Sequence, residues 1–516
     1  MKTIFQRSIV LILLVVSITA CKKSFLQNDN PNDIAETLFY QNEKDALFGL
    51  YGIYDAYQSP KLFGFKYAMF DGAADNAMNT QNLDDFGDIE KGNNSPVSEP
   101  VNDIFTQFYT VINRANYVIK RTTEIDKASI SESSRNRIIA EASFLRDFAY
   151  FELSNIYRDV PLYLEPNGAS STGKSSSKKA EILAFLKQDL ISKIPNLPTT
   201  IPAAEYGRTG RGGAVALLGK IYLWEKDYSN AAVTFAQLMT GPYNFTLYSD
   251  YAGLFTSNSA AEFSSENIFQ INFASDGVDN GSTFAEVVNT SQAPRLPRSS
   301  FVPLASLVDS YLCTDGKPII ASTLYGSKSP LYNATGTSRF MNRDPRLRAT
   351  VFTAADVTAS GQKIWSFANT TSFAVRKYIE VSTNQYAANP QNFYIIRYAD
   401  VLLMYAESKN EELGLPDASV YNAVNLVRRR VKMPDYPAGL TKEQMRLMIR
   451  DERRWEFGFE YQRFFDLKRW GTLATEIAAL PATAKKNFVN PRDYVWPIPQ
   501  GELDNNANIA QAEEWR

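Results

Sequence analysis

The sequence predicts a mainly α-helical protein, a tetratricopeptide-like helical-repeat scaffold interrupted by long irregular insertions. Three observations predict it. Leu218-Gly219-x-x-Tyr222, then Ala231-x-x-x-Phe235 and Pro242, follow the tetratricopeptide pattern at nearly every position. Arg397 to Glu407 and Asp417 to Val431 read as a second helix pair. Thr441 with Gln444 forms a capping box that starts a helix, and Met445, Met448, Ile449 and Trp455 give that helix an apolar side.

The elements follow in chain order. Lys2 and Arg7 precede an apolar run from Ile9 to Ile18 that is too short to span a bilayer and fits a secretory leader. The run ends Ile18-Thr19-Ala20-Cys21, the pattern of a bacterial lipobox. Residues 1–20 therefore read as a lipoprotein signal peptide and Cys21 as the lipidation site, with an ordinary secretory leader as the competing reading. Several acyl chains on one residue anchor a protein far better than a single chain. Lys22 and Lys23 follow the cysteine and the nearest acidic residue is Asp29, so no acidic export run stands behind it.

Helices are expected over Asn42 to Tyr57, Asn102 to Arg121 and Ala140 to Leu153, the last rich in small and aromatic residues. Between Leu218 and Phe235, Gly219 and Ala231 let two antiparallel helices approach, Tyr222 and Phe235 fill the gap, and Asp227-Tyr228-Ser229 makes the turn. The helical pairs are spread through the sequence and not contiguous in it, so a pure solenoid is not expected. Gly168 to Lys179 reads as a flexible surface loop. Pro60 to Pro100, Gly253 to Arg298 and Ala321 to Ser372 are long polar insertions, the kind that carry function or mobility. Two regions are expected after the leader: 21–250, with the tetratricopeptide-like helices, and 251–516, with variable loops 253–298 and 321–372.

Composition narrows the chemistry. Without Lys2 and Arg7, 52 basic residues face 56 acidic ones, a net charge of −4 in place of −2, and no basic face points to nucleic acid. Cys21 and Cys313 are the two cysteines; with Cys21 lipidated, no disulfide forms. The chain has no histidine, which removes Ser-His-Asp and Cys-His catalysis and histidine zinc sites. A carboxylate pair remains available for glycoside hydrolysis. Asp71, Asp75, Asp84, Asp85, Asp88 and Glu90 cluster in sequence, but their Gly and Asn neighbours predict a solvated loop. Their spacing does not match an EF-hand loop. No catalytic residue, metal or cofactor is expected.

The segment Asp451 to Gly471 mixes charges and aromatics at a density that neither a solvent face nor a plain core would have. Arg453, Arg454, Glu456, Glu460, Arg463 and Asp466 read as paired charges locking two helices together, since unpaired buried charges are too costly. Phe464, Leu467 and Trp470 line a shorter second helix that Gly471 ends.

This segment closely resembles the C-terminal signature of the SusD/RagB family, outer-membrane nutrient-binding lipoproteins of Bacteroidetes. Ala140 to Leu162, Gly207-Arg208 with Ala214 to Leu223, Asp315 to Pro318, Asn342 to Leu347, Arg397 to Glu407 and Trp496 to Gln500 resemble further family motifs in the same order. The resemblance implies a non-catalytic, surface-exposed protein on the outer membrane. Such a protein binds glycans and caps a SusC-like TonB-dependent transporter, to which it hands oligosaccharide. It also implies a ligand site built from the insertions, where aromatic rings stack on sugar faces and polar side chains bond hydroxyls. On that basis Asp75, Asn76, Asn79, Asn82 and Phe86 are expected in the site from the first insertion, and Tyr325, Tyr332 and Trp365 from the later ones. Oligopeptide or glycopeptide capture of the RagB kind and a carboxylate glycosidase are the alternatives.

Overall fold

The computed structural model describes residues 39–80, 86–166, 173–256, 259–274, 281–288, 301–325, 337–356, 371–379 and 389–516. Its longer helices are α1 (Glu43–Gln58), α2 (Glu99–Glu124), α3 (Glu132–Tyr157), α4 (Lys179–Lys193), α5 (Arg211–Trp224), α6 (Tyr228–Leu238), α7 (Tyr398–Glu412), α8 (Ala418–Arg430), α9 (Lys442–Phe457) and α10 (Gln462–Trp470). The protein is mainly helical with a tetratricopeptide-like scaffold, as the sequence predicts.

Local signals place the helix ends. Asn42 caps α1 by accepting the Lys44 and Asp45 N–H groups, and Asp227 caps α6. The Thr441–Gln444 box opens α9 with both reciprocal bonds present. Gly471 closes α10 in the left-handed region at φ 73°, its N–H turned back to the Leu467 and Lys468 carbonyls. The expected turn at Asp227-Tyr228-Ser229 is tighter than predicted, because Tyr228 and Ser229 already belong to α6.

Packing then follows chain order: α1 lies on α2 and α3, α2 on α3, α3 on α4, α4 on α5, and α5 on α6. The next contact skips about 160 residues of sequence (238 to 398), with α6 packing on α7, which in turn carries α8 and α9. Helix pairs that are separated in sequence therefore form one stack in space. Gly219 makes the α5–α6 approach possible, since a Cβ there would fall 2.6 Å from the Phe235 ring. Phe235 is fully buried; Tyr222 is only half-buried and has the Lys187 ammonium 5.5 Å from its ring centre.

Short strands pair antiparallel: Ala77–Asn79 with Phe301–Pro303, Val160–Pro161 with Ser176–Ser177, Asn267–Ile271 with Phe393–Arg397, and Val351–Phe352 with Ala374–Val375. The second pair corrects the reading of 168–179 as one loop, because Ser176 and Ser177 form a strand and Lys179 already begins α4. The first insertion also departs from expectation. Leu62 to Ala77 is buried throughout and feeds Phe63, Tyr67 and Phe70 into the aromatic core around Phe465 and Trp496.

Candidate functional site

The six charges singled out in the signature segment are paired, as predicted, and reach well beyond two helices. Glu456 is fully buried and receives Arg346 at 3.2 Å, Arg397 at 3.0 Å and the Arg430 guanidinium. Arg346 also holds Asp344 and Glu452, both at 2.7 Å. Arg397 holds Glu266 at 2.6 Å and Glu460 at 2.8 Å. Arg453 bridges Asp400 and Asp466, each at 2.7 Å. Burial pushes the Glu456 carboxyl up, but the three guanidiniums outweigh burial and hold it well below the usual range. These groups knit α7, α8, α9 and α10 to the chain at Glu266 and Asp344–Arg346; each has its partner in the protein and none is turned outward.

Arginines of the same segment capture two of the predicted site residues of the first insertion, Asp75 and Asn76. Asp75 is buried and paired with Arg454 at 3.0 Å and Arg463 at 2.8 Å. Asn76 is fully buried, donates to Asp71 at 2.7 Å and accepts from Arg454 Nε at 2.9 Å. Phe86 is buried at 1 % exposure against Phe70 and Trp496. Asn79 is half-buried with its backbone N–H on Glu90. These contacts turn Asp75, Asn76 and Phe86 inward, away from any surface a dissolved ligand reaches. Asn82, Tyr332, Trp365 and Cys21 lie outside the described residues. Tyr325 ends a one-turn 3₁₀ helix, Thr323–Tyr325.

The solvated-loop expectation for the acidic cluster is overturned for Asp71, Asp75 and Glu90, which are buried. Burial pushes Asp71 up to about 6, against hydrogen bonds from Asn76 and the Tyr461 N–H that favour its charged form. Asp84 and Asp85 lie outside the described residues. Lys486 lies 3.8 Å from Glu90 and donates to the carbonyls of Ala74 and Ala77.

Among the described residues, two of the larger hollows carry aromatic rings. One, of about 460 Å³, runs along α2 past Phe105, Tyr109, Asn113, Arg114, Tyr163 and Glu502. Its rings are committed to the fold: Tyr109 stands edge-on to Tyr163 and donates to the Pro161 carbonyl. The other, of about 240 Å³, lies where the second insertion crosses the N-terminus of α5. There Tyr206 and Phe263 stack at 5.2 Å with their planes 15° apart, yet stay 46 % and 38 % exposed. Sequence reading missed both, since each is a single aromatic in a polar stretch. The tight turn that Gly207 makes beside Tyr206 was the one local signal.

Comparison with known proteins places the fold. The sequence model described as "SusD family" matches residues 265–515, and the one described as "Starch-binding associating with outer membrane" matches residues 24–223. The chain belongs to the SusD family. SusD-like protein P25 of Formosa agariphila is 26 % identical over 98 % of both chains. A solved SusD-like carbohydrate-binding protein of Bacteroides fragilis is 27 % identical, with a TM-score of 0.79 over 92 % of this chain and all of that one. A solved laminarin-binding SusD-like protein is 26 % identical, with a TM-score of 0.74 over 92 % of this chain and all of that one.

Proposed function

We propose that this SusD-family chain is a non-catalytic glycan-binding lipoprotein of the outer membrane. Cys21 carries the lipid anchor, the folded body faces the cell exterior, and captured oligosaccharide passes to a SusC-like TonB-dependent transporter. The observation that carries this reading is the family match over both halves of the chain, one half under a starch-binding, outer-membrane description. The laminarin-binding neighbour supports a glycan as the ligand class. Contacts to sugar are assigned to the insertions, with Asn82, Tyr325, Tyr332 and Trp365 as the candidates and Asn79 at the rim. Asp75, Asn76 and Phe86 act from behind, by holding the first insertion on the scaffold.

Affinity electrophoresis of residues 22–516 through gels containing laminarin, amylopectin or other polysaccharides tests the reading. Retardation by one glycan class is the expected result. No retardation by any glycan, with heat from a casein digest in calorimetry, would replace glycan capture with oligopeptide capture. Trp365→Ala is expected to weaken the glycan interaction while leaving the melting temperature where it was. A lower melting temperature with unchanged affinity would make Trp365 a packing residue.

A further inference from the structure

The cleft at the N-terminus of α5 has the chemistry of a sugar platform. Tyr206 and Phe263 stay open to solvent although they stack on each other. The turn that presents Tyr206 is built for it. Gly207 sits at φ 103°, where an added Cβ would fall 2.1 Å from the Asn272 amide nitrogen. Phe245 also lines the cleft and fits because position 212 is glycine: a Cβ there would meet its ring at 2.5 Å. Phe245 is itself stacked on Tyr243 at 5.6 Å and 10°.

Polar groups surround these rings. Thr200 and Asn244 line the cleft from exposed positions. Gln270 Oε1 and Ser264 Oγ, in residues of the same lining, are buried with no hydrogen-bond partner among the described residues. The first turn of α5, capped by no side chain, brings Gly210, Gly212 and Gly213 to the cleft. The cation at the wall, Arg208, is already held by Glu141 at 2.6 Å and Glu205 at 2.9 Å, so it does not call for an acidic sugar. Burial raises the nearby Glu262 carboxyl toward its neutral form.

We infer that this cleft is a binding subsite for a short segment of a neutral glucan. A pyranose C–H face lies against the open outer face of the Tyr206–Phe263 stack, and its hydroxyls bond to the polar rim. At about 240 Å³ the cleft is smaller than the ~300–1,000 Å³ of a pocket that encloses a drug-sized ligand, so it grips part of a chain. The inference rests on the glycan reading above and adds a subsite that joins the scaffold to the second insertion.

Calorimetric titration of residues 22–516 with laminarihexaose and with maltohexaose tests it, on the wild type and two double variants. Tyr206→Ala with Phe263→Ala removes both rings; Tyr206→Leu with Phe263→Leu keeps apolar bulk and removes only the flat faces. Both double variants are expected to lose about tenfold in affinity for the hexasaccharide that the wild type binds, with an unchanged melting temperature. Wild-type affinity in the leucine variant overturns the subsite and leaves the proposed function standing. A wild type silent toward both hexasaccharides overturns the neutral-glucan subsite, while the polysaccharide gels decide the proposed function separately.

Discussion

Behind α9 and α10, Arg346, Arg397 and Arg430 converge on Glu456 with no more than 2 % of any of these side chains exposed. At the N-terminus of α5, Tyr206 and Phe263 keep two-fifths or more of one ring residue and over a third of the other in solvent. The two regions use the same kinds of residue, charge and aromatic ring, for opposite ends. Inside, a guanidinium must find a carboxylate or the fold loses several kcal/mol. At the surface, an open ring contributes little to the fold and is free to meet a ligand. On the proposed reading, stability and recognition sit on different residues, and substitutions should separate them.

The largest effect is expected at the centre of the buried frame. Glu456→Ala leaves three guanidiniums short of a partner and should cost about 3–5 kcal/mol in denaturant unfolding. A loss under about 1 kcal/mol would mean that the remaining carboxylates, Glu266, Glu452, Glu460 and Asp344, carry the frame without it. Phe86 sharpens the comparison from the aromatic side. Buried between Phe70 and Trp496, it should behave as core, so Phe86→Ala lowers stability by about 3 kcal/mol. If Phe86→Ala instead weakened glycan binding at an unchanged melting temperature, the first insertion would belong to the recognition surface.

A smaller, pH-dependent effect is expected at Glu152, which is buried in α3, accepts from the Tyr67 hydroxyl and is pushed up to about 7 by burial. A carboxyl raised in the folded state favours folding fully below its ordinary pKa of about 4.3. That contribution is lost as pH rises through about 7. Wild-type stability should therefore fall by about 2–3 kcal/mol between pH 4.5 and 8, and Glu152→Gln should flatten that decline. Asp75 and Glu456, held below their usual range by arginines, act in the opposite sense: their contribution is lost only as pH falls below about 4. An equal slope in Glu152→Gln and the wild type would remove Glu152 as its source.

The same contrast explains what could be read from the chain. The Thr441 cap, the Gly471 stop and the Gly219–Phe235 contact were legible because each is fixed within one helix or one helix pair. That charges of this segment pair was legible for the same reason, since Arg453 and Asp466 lie only 13 residues apart, but which carboxylate each arginine takes was not. Asp75 was misread as solvated because its partner Arg463 lies 388 residues away, and its sequence neighbours look like a loop. Tyr206 and Phe263 gave no periodic signal at all; they meet across the fold, with the turn at Gly207 beside the first.

The most direct measurement is the melting temperature of residues 22–516 with and without soluble glucan, beside the same titration with a casein digest. A ligand that binds only the folded state adds about 2.7 kcal/mol at a hundredfold excess over its Kd. The expected result is a rise with laminarin or amylopectin that is equal in the wild type and in Glu456→Ala, and no rise with the digest. A rise with the peptides and none with either glucan would contradict glycan capture and make this protein a peptide-binding member of its family.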